Sequence, residues 1–141
     1  MISRVLADTG PIVAIFSKRD NFHELCVEQL RELTPPLLTS WPVITEAVWL
    51  LGDYPPRIRG LLTSVDAGLI KLPSLPESAA SWMADFLRKY RNVPAQLADA
   101  SLAYLAERDG IETVFTLDRR DFSIYRIGRQ RKFHILPAEP V

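Results

Sequence analysis

Residues 5–11, VLADTGP, decide how the rest of the chain is read. The apolar run Val5-Leu6-Ala7 ends on a carboxylate at Asp8, with Thr9, Gly10 and Pro11 directly behind it. A short apolar run bounded by turn residues suits a buried strand, and a proline just after it suits the first turn of a helix. Residues 4–7 therefore read as a strand feeding a short helix from Pro11 to about Phe16, with Asp8 at the strand's carboxyl end.

The alternation continues outward from there. Asn21 with Glu24 has the form of a capping box opening a helix to about Leu33, with Phe22, Leu25, Cys26, Leu30 and Leu33 at helical spacing. Pro35 and Pro36 stop it. A second strand is expected over 37–39, and Pro42 suits the first turn of a helix through Leu51. A further helix spans Pro56 to Asp66 with Gly68 as its stop, and a third strand covers 69–72. Ser74 with Glu77 has the form of a second capping box, opening a helix to about Tyr90. Pro94 starts a helix ending near Gly110, and 112–116 and 132–136 close the chain as strands. Five short strands separated by helices predict an α/β fold, a mainly parallel five-stranded sheet with helices on both faces.

Composition narrows the field. The 141 residues suit a single domain over 1–141, and seventeen basic side chains balance seventeen acidic ones, so only a local cluster can attract a polyanion. One cysteine, Cys26, allows no internal disulfide, and His23 and His134 match no zinc spacing. No apolar stretch approaches the roughly 18 residues of a membrane span, and the opening residues do not read as a leader. No membrane association and a cytoplasmic location are expected. Asp-Thr-Gly is also the short signature of aspartic proteases, but those are built from β-structure and this chain is dominated by helical patterns.

In open α/β sheets, ligands bind beyond the carboxyl ends of the strands. Asp8 and Asp118 both follow strands and should face that crevice, although either alone reads more readily as a turn or helix-cap aspartate. Glu46 and Asp99 are harder to dismiss. Three and four residues from Glu46 stand Pro42, Val43, Trp49 and Leu50; around Asp99 stand Ala95, Gln96, Leu102 and Ala103. Neither acid has a local cation, whereas Asp85 has Arg88 and Lys89 in reach. An unpaired carboxylate on a largely buried helix is costly unless a partner out of local view compensates it. If the four acids converge, pairs about 5 Å apart repel by roughly 3 kcal/mol at an effective dielectric near 20. A divalent cation relieves this, and an all-oxygen set suits Mg²⁺ or Mn²⁺.

With VLADTGP at Asp8, ITEAV at Glu46, LADASLAYLAER at Asp99 and VFTLDRRDF at Asp118, the chain resembles the PIN-domain ribonucleases. Its length and the late TLDRRDF segment are similar to the toxins of VapC-type toxin–antitoxin pairs. The resemblance implies a Rossmann-like sheet in the order 3-2-1-4-5. It also implies RNA cleavage dependent on Mg²⁺ or Mn²⁺, with Asp8, Glu46, Asp99 and Asp118 as catalytic metal ligands. Asp121 is either a fifth, peripheral acid or a loop cap, and Thr9 and Thr116 are expected to orient carboxylates or metal-bound waters. A cognate antitoxin and a homodimer are the implied protein partners.

Two further signals concern partners. Arg119, Arg120, Arg126, Arg129, Arg131 and Lys132 are opposed only by Asp121 within 119–132, a stretch suited either to holding an RNA backbone or to a solvated basic loop. Phe122 and Tyr125 lie in the same stretch; stacking on bases is open to both, with a core role expected for Phe122. Trp41, Trp49 and Leu50 read as core rather than as a partner surface. The competing classes are a catalytically idle PIN-like module that binds RNA or protein, and a phosphotransfer domain using Asp8 as nucleophile. The second would want an acid at position 10, where this chain has glycine.

Overall fold

A computed structural model describes residues 1–139. Five strands form one parallel sheet: β1 (Val5–Ala7), β2 (Leu37–Leu38), β3 (Ile70–Lys71), β4 (Thr113–Phe115) and, last in the chain, β7 (His134–Leu136). Their order is β3-β2-β1-β4-β7, the expected 3-2-1-4-5 with the edge strand renumbered by an intervening hairpin. That hairpin, β5 (Arg126–Ile127) with β6 (Arg131–Lys132), is antiparallel and stands apart from the sheet. The run expected as one strand over 132–136 is thus divided at Phe133, whose buried ring packs on Phe122.

The helices are α1 (Thr9–Phe16), α2 (His23–Leu30), α3 (Trp41–Leu51), α4 (Pro55–Asp66), α5 (Ala79–Lys89), α6 (Leu97–Asp109) and α7 (Arg119–Ile124). The chain steps from β1 outward through β2 to β3, then returns to the other side of β1. With right-handed crossovers, that reversal puts α1–α4 on one face and α5–α6 on the other. The core follows this layering. β1 is wholly buried, and Ile12, Val43, Leu61, Leu102, Leu105 and Phe115 are shut from solvent around it. Among the described residues no helix is long and apolar enough to cross a membrane.

Helix starts depart from the sequence reading in an informative way. Asn21 caps nothing: Asp20 Oδ1 accepts from the Phe22 N–H at 2.8 Å, and α2 starts one residue later without a side-chain cap. Phe22 and Leu25 consequently lie half-exposed rather than in the core. Ser74 does not cap either, since α5 begins at Ala79. The capping box the sequence reading missed is on α6, where Gln96 and Asp99 cap one another's backbone. The helix expected from Pro94 therefore begins at Leu97, and left-handed Gly110 (φ +66°) ends it as expected. At α1 the helix takes up Thr9 directly, so Asp8 is its N-cap residue.

Three buried polar contacts fix the carboxyl edge of the sheet. Thr39 Oγ1 donates to the Ala7 carbonyl at 2.7 Å, tying the end of β2 to the residue before Asp8. Ser40 caps α3 through Val43 N–H, and its hydroxyl meets that of Ser101 on α6 at 2.6 Å. Gly10 lets the segment after β4 close on α1. A Cβ there would stand 3.4 Å from Leu117 Cδ1, at the tight limit of packing.

Candidate active site

The chain's direction across the sheet reverses between β1 and β4, and this is where an α/β sheet opens a crevice. Asp8 leaves β1 there, and Asp118 follows β4 by three residues. Glu46 enters from the middle of α3 and Asp99 from the first turn of α6. All four line one cleft of about 490 Å³, together with Thr9, Gly10, Gln96 and Asp121. The fold brings the four acids singled out in the sequence to the lining of one cleft.

Asp8, Asp99 and Asp118 are each held by uncharged groups. Thr116 Oγ1 donates to Asp8 Oδ2 at 2.7 Å and accepts from the Asp118 N–H at 2.9 Å, so one buried hydroxyl sets the spacing of two acids. Asp99 Oδ2 accepts from Tyr125 Oη at 2.8 Å and from the Gln96 N–H at 3.3 Å. Asp118 caps α7, its Oδ1 accepting from the Asp121 N–H at 3.2 Å. Asp118 is thus both a helix cap and a cleft acid. Among the described residues no Lys, Arg or His forms an ion pair with any of the four.

The electrostatics follow from that. Burial drives the Asp8 carboxyl up to about 7; hydrogen bonds from the Thr116 hydroxyl and the Thr9 backbone N–H offset part of this, while Asp99 and Glu46 push it higher. Glu46 is raised by desolvation and then by Asp99, and Asp99 by desolvation with a contribution from Asp118. Asp121 is raised by desolvation and by its neighbour Asp118. The carboxylates destabilise one another's charge. Tyr125, buried beside Asp99, has its hydroxyl proton held tightly by burial and by that acid. This closes the stacking role considered for Tyr125; its ring packs on Phe86, Tyr90 and Phe122, and its hydroxyl positions Asp99.

The donor set suits a hard divalent cation: carboxylate oxygens and hydroxyls, with no histidine or cysteine lining the cleft. The buried Thr9 hydroxyl adds to the fit, since it lies beside Glu46 and lowers the cost of that carboxylate's charge. Among the described residues no three His, Cys, Asp or Glu side chains already stand at chelating geometry, so an ion would have to draw these carboxylates together.

The basic stretch beyond α7 is less free than its sequence suggests. Arg119 pairs with Glu139 and donates to the Pro137 carbonyl, and Arg131 pairs with Glu112. The Arg126 guanidinium donates to the carbonyls of Ser123, Ile124 and Tyr125, capping the end of α7. Arg120 and Arg129 are exposed, with no ion-pair partner among the described residues. Phe122 is buried, as expected. Trp41, Trp49 and Leu50 are not core: they are 58%, 81% and 55% exposed on α3.

Comparison with known proteins adds the following. The sequence pattern of the PIN domain matches residues 5–129. Ribonuclease VapC26 of Mycobacterium tuberculosis is 25% identical over 138 residues, covering 94% of this chain and all of that protein. The crystal structure of Mycobacterium tuberculosis VapC20, titled a Sarcin-Ricin loop cleaving toxin, superposes with a TM-score of 0.70 at 16% identity. It covers 83% of this chain and 92% of that one, a likeness of fold.

Proposed function

The chain belongs to the PIN-domain family, and from that premise we propose that it is an endoribonuclease dependent on Mg²⁺ or Mn²⁺, the toxin of a toxin–antitoxin pair. The observation that carries the reading is the meeting of Asp8, Glu46, Asp99 and Asp118 in one cleft without a cation beside them. A ribonuclease among the full-length relatives supports the reaction class.

Asp8, Glu46, Asp99 and Asp118 would hold the ion. When bound, it supplies positive charge against the phosphodiester and acidifies water for attack. The chain's own groups prepare the site. Thr116 fixes Asp8 against Asp118, and Tyr125 with the Gln96 N–H fixes Asp99. The Thr9 hydroxyl steadies Glu46, and Asp121 stands at the rim. Arg120 and Arg129 offer phosphate contacts beyond α7. The exposed Trp41, Trp49 and Leu50, with Leu97 nearby, form an apolar surface that suits a protein interface, for which we propose an antitoxin or a second copy of the chain. The enzyme works in the cytoplasm, where its RNA is.

Incubation with RNA and EDTA tests the reaction. Cleavage should stop and return on adding Mn²⁺ or Mg²⁺. Undiminished cutting in EDTA by protein freed of contaminating nucleases would overturn the metal dependence. No cutting with Mn²⁺ would favour an idle RNA- or protein-binding module.

A further inference from the structure

On the reading that the chain cuts RNA, we propose that Lys18, Arg19 and Arg57 form a docking groove for the RNA backbone at the far end of α1 from the acid cleft. The groove is about 640 Å³ and is lined by Phe16, Lys18, Arg19, Asp53, Tyr54 and Arg57 among others. It gathers three cations against one acid in a chain whose charges otherwise cancel. Among the described residues none of the three has a carboxylate within 4.0 Å, so all three charges are available to a ligand. The Arg57 guanidinium lies 4.6 Å from the centre of the Tyr54 ring, which stiffens it while leaving its N–H donors unspent.

Continuity with the acid cleft selects the ligand. Helix α1 gives Thr9 and Gly10 to the cleft at its start and Phe16 to the groove at its end. Eight helical residues separate the two by about 12 Å. Helix α3 gives Glu46 and Leu50 to the cleft, and the turn that follows it gives Asp53 and Tyr54 to the groove. Two helices thus wall both sites. A strand held in the cleft continues along them onto the three cations. The acid cleft by itself repels a polyanion; capture has to come from charge placed outside it. Arg120 stands beside Asp121 at the rim past β4 and the groove lies on the α1 side, so a strand crossing the cleft meets cations on both flanks.

The test is binding of a fluorescein-labelled single-stranded RNA oligonucleotide over a series of salt concentrations. All proteins carry Asp99→Asn, to keep the strand intact. Lys18→Ala/Arg19→Ala/Arg57→Ala should weaken binding about tenfold or more at low salt. It should also reduce the slope of log affinity against log salt by about 2, three lost contacts at about 0.7 each. Arg19→Lys/Arg57→Lys should retain the slope, because the charge is kept. The charge-matched control Arg88→Ala/Lys89→Ala/Arg91→Ala, on and just after α5, should retain affinity and slope. Melting curves of the groove variants should be near that of Asp99→Asn alone, since Lys18, Arg19 and Arg57 make no side-chain ion pair among the described residues. A triple variant with wild-type affinity and slope overturns the groove, and does so whether or not the unsubstituted chain cuts RNA with Mn²⁺. A variant that binds RNA normally but loses a glutamate-rich peptide overturns it in favour of an acidic protein segment. An unsubstituted chain that neither binds nor cuts RNA overturns both the groove and the nuclease reading.

Discussion

Asp8 carries a proton problem that can be measured. Its carboxyl titrates near 7 in the metal-free fold because burial outweighs the Thr116 and Thr9 hydrogen bonds, while an unfolded chain releases that proton near 3.8. Between those values the fold binds more protons than the unfolded chain, so stability falls as pH rises through the window. A shift of this size is worth on the order of 2–4 kcal/mol above pH 7. Asp8→Asn keeps an oxygen for Thr116 and removes the charge. In EDTA it should melt above the wild type at pH 8, the two curves converging toward pH 4; parallel curves would show that Asp8 is compensated by something other than protonation. Asp99→Asn likewise keeps an acceptor for Tyr125 and Gln96. It should stabilise the metal-free protein by about 1 kcal/mol, since one repulsion is relieved, and cut cleavage at least a hundredfold. A variant that melts lower with and without Mg²⁺ would remove Asp99 from the metal site. Glu46 and Asp99 were legible because helical neighbours supply no cation to either, a local pattern, whereas Asp8 and Asp118 followed from their places just beyond strands and from the resemblance. Tyr125 was not legible as a positioning group. Its hydroxyl reaches Asp99 across 26 residues of sequence, and nothing near it in the chain signals burial.

Elements were easier to find than their ends. Five strands and the main helices followed from apolar periodicity, which senses the core directly. The caps at Asn21 and Ser74 failed because residue type alone cannot say where a helix starts; before α2 the Asp20 carboxylate instead accepts from the Phe22 N–H in a turn. The short helix α7 was not expected, and its six residues are too few for a periodic signal. Its end is held by Arg126, which charge-based reading assigned to RNA. Arg126→Ala should therefore lower stability by about 1 kcal/mol, the scale of its lost capping bonds, and leave the salt dependence of RNA binding almost unchanged. A reduced salt slope with an unchanged melting temperature would return Arg126 to the RNA-binding set.

At the scale of the molecule, the parallel sheet brings distant segments to one edge, and metal binding there should couple to folding as a whole. Mg²⁺ at a hundred times its dissociation constant should stabilise the wild type by about 3 kcal/mol, and Asp99→Asn by much less. Paired melts with Mg²⁺ and with EDTA read this directly. The α3 surface makes a separate prediction. If Trp41, Trp49 and Leu50 join two copies, Trp49→Glu should convert a dimer to a monomer in sedimentation without lowering the melting temperature of the monomer. An unchanged dimer would locate its interface elsewhere. That Trp41 and Trp49 face solvent was not legible, because an apolar helix looks alike whether the fold or another chain covers it. The order of the strands has a consequence for the time course of synthesis. β1 is made before the hydroxyl that steadies Asp8, which follows 108 residues later. At about 5–20 residues per second that interval is on the order of 5–20 seconds. Throughout it the β1 and β4 sides of the acid cleft are not yet held against one another.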